Sequence, residues 1–385
     1  MSEYQYYEFV AIDEPLTSAQ MAELRSRSSR AVITPTSFIN EYHWGNLKGD
    51  PLDWMRRYFD AHIYVANWCS CWLFLRVLKD AFDAKTLNAF ETESAFTVER
   101  TGSHWILEWG LSESQDYDRF GDEDGRGWMG RLAPLRDELL RGDMRPLYLG
   151  WLAGVSGGEI DDKTAEPPLP PGLSRLTAAQ RSLVEFLDID QDLLTAAAFS
   201  DKPQSDCDEG GDAMDAWIAG LPDNEGRAAI KLLLTGRAQQ AERQLKSRLL
   251  AWQREQRPDI ETSQIRRTVA ELRELAKSAA ETRRQQESVQ RRKADAERQS
   301  KRESYLRTLA GDFDRCWKAA HERAERGIAS AYDDVKRALI DLADAYTLCA
   351  SQTEFDRRLS EFMAKHGKRG ALVRRLVEAR LWKKP

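Results

Sequence analysis

Between Glu281 and Ser304 the chain offers only Val289, Ala294 and Ala296 as apolar residues, set among Arg, Lys, Glu and Gln. Such a stretch has no face to bury, so a helix built from it must be solvated along most of its length. Just upstream, Ile265, Val269, Leu272, Leu275 and Ala279 recur at helical spacing and predict a packed start to that helix. Residues 261–308 therefore read as one long charged helix, about 70 Å from end to end at about 1.5 Å per residue. Over 262–308, 13 Lys+Arg stand against 7 Asp+Glu. A dimerising coiled coil is the alternative, weakened by the missing apolar heptads.

The charge asymmetry extends to the whole chain. Residues 1–215 carry 20 Lys+Arg and 38 Asp+Glu, whereas residues 216–385 carry 37 and 25, so a net of −18 is followed by a net of +12. A basic half calls for an anionic partner, and the acidic half could supply one from the same chain or from a second copy. No run approaches the roughly 18 apolar residues of a membrane span and the start lacks a signal peptide's regions, so a cytoplasmic chain without membrane contact is expected.

Eight of the tryptophans, from Trp44 to Trp151, fall within the first 155 residues and predict a compact folded domain there. Tyr4–Ile12 reads as a strand, Thr17 opens a helix to about Ser28, and Ala31–Tyr42 is again β-rich with Pro35 at an edge or bend. Pro51 suits the first turn of a helix running through Trp54, Tyr58, Phe59 and His62. Cys71–Leu78 reads as a strand, and Ala95–Arg100 meets Trp105–Leu111 as a hairpin across Thr101-Gly102-Ser103. The expected fold is an α+β N-terminal domain over 1–153, with a ferredoxin-like topology as the candidate and helices mainly on one face. A Pro/Gly linker over 154–172, a helical region over 173–260, the long helix, and a C-terminal helical bundle with a basic tail over 309–385 complete the organisation.

Catalytic patterns are thin. The acidic stretch 112–130 offers Asp116, Asp118, Asp122, Glu123 and Asp124 as oxygen donors without a calcium-loop spacing, and Asp116, Asp118 and Asp122 could supply oxygens to a nuclease-like metal site. Gly125-Arg-Gly127-Trp-Met-Gly130 matches a dinucleotide fingerprint without the preceding strand. Gly154-Val-Ser156-Gly-Gly158 matches a nucleophile elbow, with the apolar run Leu147–Ala153 before it readable as a strand, but it runs into acidic, Pro-rich sequence rather than a helix. The five cysteines and five histidines show no zinc spacing, and the Cys69-Ser-Cys71 pair reads as packing, so no cofactor is expected.

The residues expected to bind nucleic acid or another anionic partner are Arg283, Arg284, Arg291, Arg292 and Lys293 on the long helix, with Lys368, Arg369, Arg374 and Arg375 in the tail. Several stretches add a family likeness: YYEFVAIDEPLT, ITPTSFINEYHWGNLKGDP, RRYFDAHIYVANW, LYLGWLAGV with PPLPPGLSRLT, and FDRRLSEFMAKHGKRGALVRRL. In order and spacing they resemble a family of bacterial proteins with a Trp-rich α+β start and a charged helical second half. That resemblance implies the same layout and a link to nucleic-acid systems, and it carries no site residues over. The expected function is a non-catalytic adaptor or scaffold that binds a protein partner or nucleic acid through its basic half. A metal-dependent enzyme using 112–130 and a self-associating structural protein are the alternatives.

Overall fold

The computed structural model describes residues 4–112, 125–199, 210–238 and 266–383, with scattered positions between 241 and 252. It divides into two compact units, Met1–Glu281 and Thr282–Pro385.

The first unit is built on an antiparallel seven-stranded sheet ordered β2-β3-β1-β4-β5-β7-β6. Its strands are β1 (Gln5–Val10), β2 (Val32–Thr34), β3 (Ser37–Tyr42), β4 (Ala61–Ala66), β5 (Ser70–Leu78), β6 (Phe96–Arg100) and β7 (His104–Leu111). Helix α1 (Ser18–Arg27) joins β1 to β2, and α2 (Pro51–Arg57) joins β3 to β4. Each of these crossovers passes over one strand, because β3 lies between β1 and β2 and β1 lies between β3 and β4. Thr17 starts α1 with a capping box to Gln20, and Asp50 caps α2 ahead of Pro51.

Period-2 alternation sends side chains to two different cores. Tyr7, Phe9 and Phe38 join Leu24 of α1 and Trp54 and Met55 of α2 on one face. Tyr6, Ile63, Leu73, Trp105, Leu107 and Trp109 face the other, larger core. That second core is closed by α4 (Trp128–Leu132), α5 (Pro134–Leu140), α6 (Arg145–Gly157), α7 (Ala178–Phe186) and α8 (Gln191–Ala198), which follow α3 (Ala84–Asn88). Helices thus cover both faces, whereas the sequence suggested mainly one. The central strand β4 is buried at every position, as a strand sandwiched between two layers must be.

Three local expectations change. His62 belongs to β4, not to α2: the helix ends at Arg57, and the β-branched Ile63 and Val65 pair with both β1 and β5. The run Leu147–Ala153 lies inside α6, where full burial removes any periodicity that would have marked a helix. Gly154-Val-Ser156-Gly-Gly158 is therefore the last turn and cap of a helix, not a strand-to-helix elbow. The segment expected as a linker is packed: Glu166 is buried, its amide donates to Arg267 O at 2.7 Å, and Val269 N donates to Thr164 O at 3.0 Å. Helices α9 (Gly210–Gly220) and α10 (Asp223–Leu234) follow.

Helix α11 (Val269–Ala310) is continuous over 42 residues. Thr268 and Glu271 form its capping box, and Val269, Leu272 and Ala276 enter the larger core of the first unit. In the second unit α12 (Phe313–Glu325), α13 (Ala329–Cys349), α14 (Gln352–His366) and α15 (Gly370–Glu378) enclose one apolar cluster. The stripes Tyr332, Val335, Leu339, Leu342, Tyr346 and Phe355, Leu359, Phe362 are all buried there, as their spacing predicts. No helix among the described residues is long and apolar enough to cross a membrane.

Candidate anionic-partner interface

Every residue from Glu281 to Ser300 on α11 is exposed, so its five candidate cations all reach solvent. A step of seven residues turns an α-helix by nearly two full turns, so Arg284, Arg291 and Arg298 share one face. Arg292 and Lys293 point about 100° and about 200° further round the helix than Arg291, so the predicted five encircle the helix instead of forming one strip. Over 281–300 six Lys/Arg alternate with four Asp/Glu, and the acids pair locally. Arg283 meets Glu287 at 3.0 Å, and Arg298 lies 3.8 Å from Asp295. Further along, Lys301 meets Glu297 at 2.6 Å. Pairs three or four residues apart support an exposed helix by about 0.3–0.5 kcal/mol each. Arg284, Arg291, Arg292 and Lys293 make no ion pair among the described residues.

The tail cations sit on the folded bundle. Arg375 donates Nε to Asp333 Oδ1 at 2.7 Å, tying α15 to α13, and this contact depresses the Asp333 carboxyl below its ordinary range. Arg369 donates Nη1 to the Tyr332 hydroxyl at 3.3 Å. Lys368 and Arg374 are exposed. Arg375 is therefore partly structural, and Lys368, Arg369 and Arg374 keep their charge uncompensated by any carboxylate contact among the described residues.

Two buried charge systems were not legible in sequence, because each joins residues far apart along the chain. Asp60 accepts from the amides of Ile12 (2.6 Å) and Asp13 (2.7 Å) and from Arg76 Nη2 (2.6 Å). Buried Arg136 reaches Asp13 at 2.6 Å and lies 4.0 Å from Asp60. Burial alone would raise the Asp60 carboxyl, but Arg76, Arg136 and the amide donors outweigh it and hold it below its usual value. The second system joins Tyr148, Glu166 and Arg267. Both systems are saturated with partners, which marks them as clamps between elements.

Histidines behave as packing groups. His62 stacks on Phe9 with ring centroids 3.7 Å apart, and burial drives its pKa down to about 3, so the ring is neutral. His321 Nδ1 and buried His366 Nε2 lie 2.9 Å apart across α12 and α14. Cys69 occupies the turn before β5 with φ of 61°, and the Cys71 thiol donates to Phe186 O at 3.0 Å, so the two thiols are not displayed as a pair on one strand. No cluster of three metal-ligating side chains occurs among the described residues. Asp116, Asp118, Asp122, Glu123 and Asp124 lie outside them.

In comparisons with known proteins, no family model, no curated protein and no solved structure matches this chain.

Proposed function

We propose that this protein is a non-catalytic adaptor that holds an anionic partner, a protein or a nucleic acid, through the basic helical half. The observation that supports this reading is the solvent-exposed α11 segment whose Arg284, Arg291, Arg292 and Lys293 make no ion pair among the described residues, followed by a bundle whose tail carries exposed Lys368 and Arg374 and a half-buried Arg369, none of them on a carboxylate. Surface guanidinium and ammonium groups that neutralise a polyanion release the cations condensed on it, which yields affinity that falls with salt. The sheet unit acts as the folded anchor. The arrangement of β1 to β4, in the order β2-β3-β1-β4 with α1 and α2 as crossovers, supports reading that part as ferredoxin-like.

Since Val269, Leu272 and Ala276 pack in the first unit, the test uses the full chain and not its basic half. Fluorescence anisotropy with polyglutamate, single-stranded DNA and duplex DNA, from about 50 to about 200 mM salt, should show binding to at least one probe that weakens steeply with salt. Absence of binding to all three at the lowest salt overturns the proposal.

A further inference from the structure

Several cations of the C-terminal unit lie at one end of its bundle, where two interhelical turns come together. Near the start of α13, Tyr332 contacts Arg369, the residue that precedes α15, and Asp333 contacts Arg375 in the last turn of that short helix. His321 and His366 place the last turns of α12 and α14 side by side. The α12–α13 turn and the α14–α15 turn therefore meet: a Cβ placed on Gly327 would lie 3.5 Å from Arg369 Nη1. Arg326, the residue before Gly327, is thus brought beside Arg369, although 43 positions separate them in the chain. Lys365, one residue before His366, lies at the same end; burial lowers the pKa of His321 and His366, the Lys365 charge adds to that, and the Glu325 carboxylate opposes it.

From residue 365 to residue 383 seven Lys/Arg face one acid, Glu378, and among these only Arg375 has a carboxylate partner among the described residues. That density exceeds the one on the exposed stretch of α11, where six bases face four acids. We infer that the joined turns of the bundle, through Arg326, Lys365, Lys368, Arg369 and Arg374, form the site that holds the phosphate backbone of duplex nucleic acid. This rests on the adaptor reading and narrows it to one partner and one end of one unit.

A duplex fits better than other anions. Protein partners are held by buried aromatic and aliphatic anchors, but among the described residues only Ile328, beside these turns, and Val377, on α15, are large hydrophobics exposed near the cations. Single strands are gripped by aromatic stacking, and no exposed aromatic side chain flanks the cations among the described residues. Duplex backbones ask only for spaced cations, each phosphate contact adding about 0.9 to the slope of log affinity against log salt.

The test compares the full chain with two triple variants, R326E/K368E/R374E at the bundle end and R284E/R291E/R292E on α11, each checked for an unchanged melting temperature. Probes are a random-sequence duplex, polyglutamate, and vesicles containing phosphatidylserine. The bundle-end variant should lose at least about tenfold in duplex affinity and about 2 to 3 in salt slope, and the α11 variant should lose less. Duplex binding unchanged in the bundle-end variant, or no duplex binding by the unaltered chain, overturns the inference. If polyglutamate still binds with steep salt dependence in that second case, the adaptor reading stands while this inference falls. Vesicle binding without duplex binding also overturns it.

Discussion

Glu166 and Arg267, 101 residues apart in sequence, face each other through two hydrogen bonds, Nε to Oε2 at 2.8 Å and Nη2 to Oε1 at 2.9 Å. Tyr148 of α6 donates to the same carboxylate, and Arg267 also donates to Ala196 O at 3.0 Å. The residues just ahead of α11 are thereby fastened to α6, to α8 and to Glu166 of the Pro/Gly segment.

Removing Arg267 leaves the Glu166 charge buried beside an apolar cluster. Arg267→Met should destabilise the first unit by about 3–5 kcal/mol, and the additional change Glu166→Gln should recover part of that loss. Urea denaturation of the single and double variants checks both; a single variant as stable as the parent chain would show that the pair does not clamp the segment.

His62 makes stability depend on pH in a calculable direction. Its pKa is about 3 when folded and near 6.5 when unfolded, so the unfolded chain binds more protons between those values. Stability from this group is complete above about pH 6.5 and falls as pH drops, by about 1.4 kcal/mol per unit. His62→Phe, which keeps a flat ring between Phe9 and Phe74, should lose about 2 kcal/mol less than the parent chain between pH 7 and pH 5. Parallel curves for the two proteins would contradict this.

Gly150 lies within α6 where the helix crosses the sheet. A Cβ there would come within 2.8 Å of Phe96 Cβ and of the Trp109 ring, whose indole N–H donates to Pro146 O at 2.9 Å. Alanine is the better helix former, yet Gly150→Ala should destabilise by about 1–3 kcal/mol because overcrowding outweighs propensity. A rise in melting temperature would reverse that ranking.

Leu339 is fully buried in the bundle cluster. Leu339→Ala should cost about 2–5 kcal/mol. Hydrogen exchange should then quicken across α12 to α15 and stay unchanged in β1, β4 and β5, since the core of each unit is its own. Faster exchange spreading equally through the sheet would show a single cooperative unit instead.

Regular patterns in sequence became elements in structure. The β1 run, the Thr17 cap, the hairpin of β6 and β7, and the stripes of α13 and α14 all rest on interactions within a few residues. Readings failed where the environment on both sides mattered. His62 went to a strand because β1 and β5 compete for its segment, and Leu147–Ala153 became helical because a run buried all round shows no period. At the candidate interface every cation was visible as composition. The meeting of the α12–α13 and α14–α15 turns was not, because a contact between residues some forty positions apart is set by packing.

The sequence by itself determined where apolar side chains repeat, where helices begin, and that the second half carries excess positive charge, since these depend on neighbours within a turn or a strand. Tertiary structure alone decided which charges are spent. Asp60, Glu166, Arg136 and Arg267 are consumed in buried pairs because desolvation makes a lone charge costly, whereas Lys368 and Arg374 stay hydrated on the bundle surface and remain available to an outside anion.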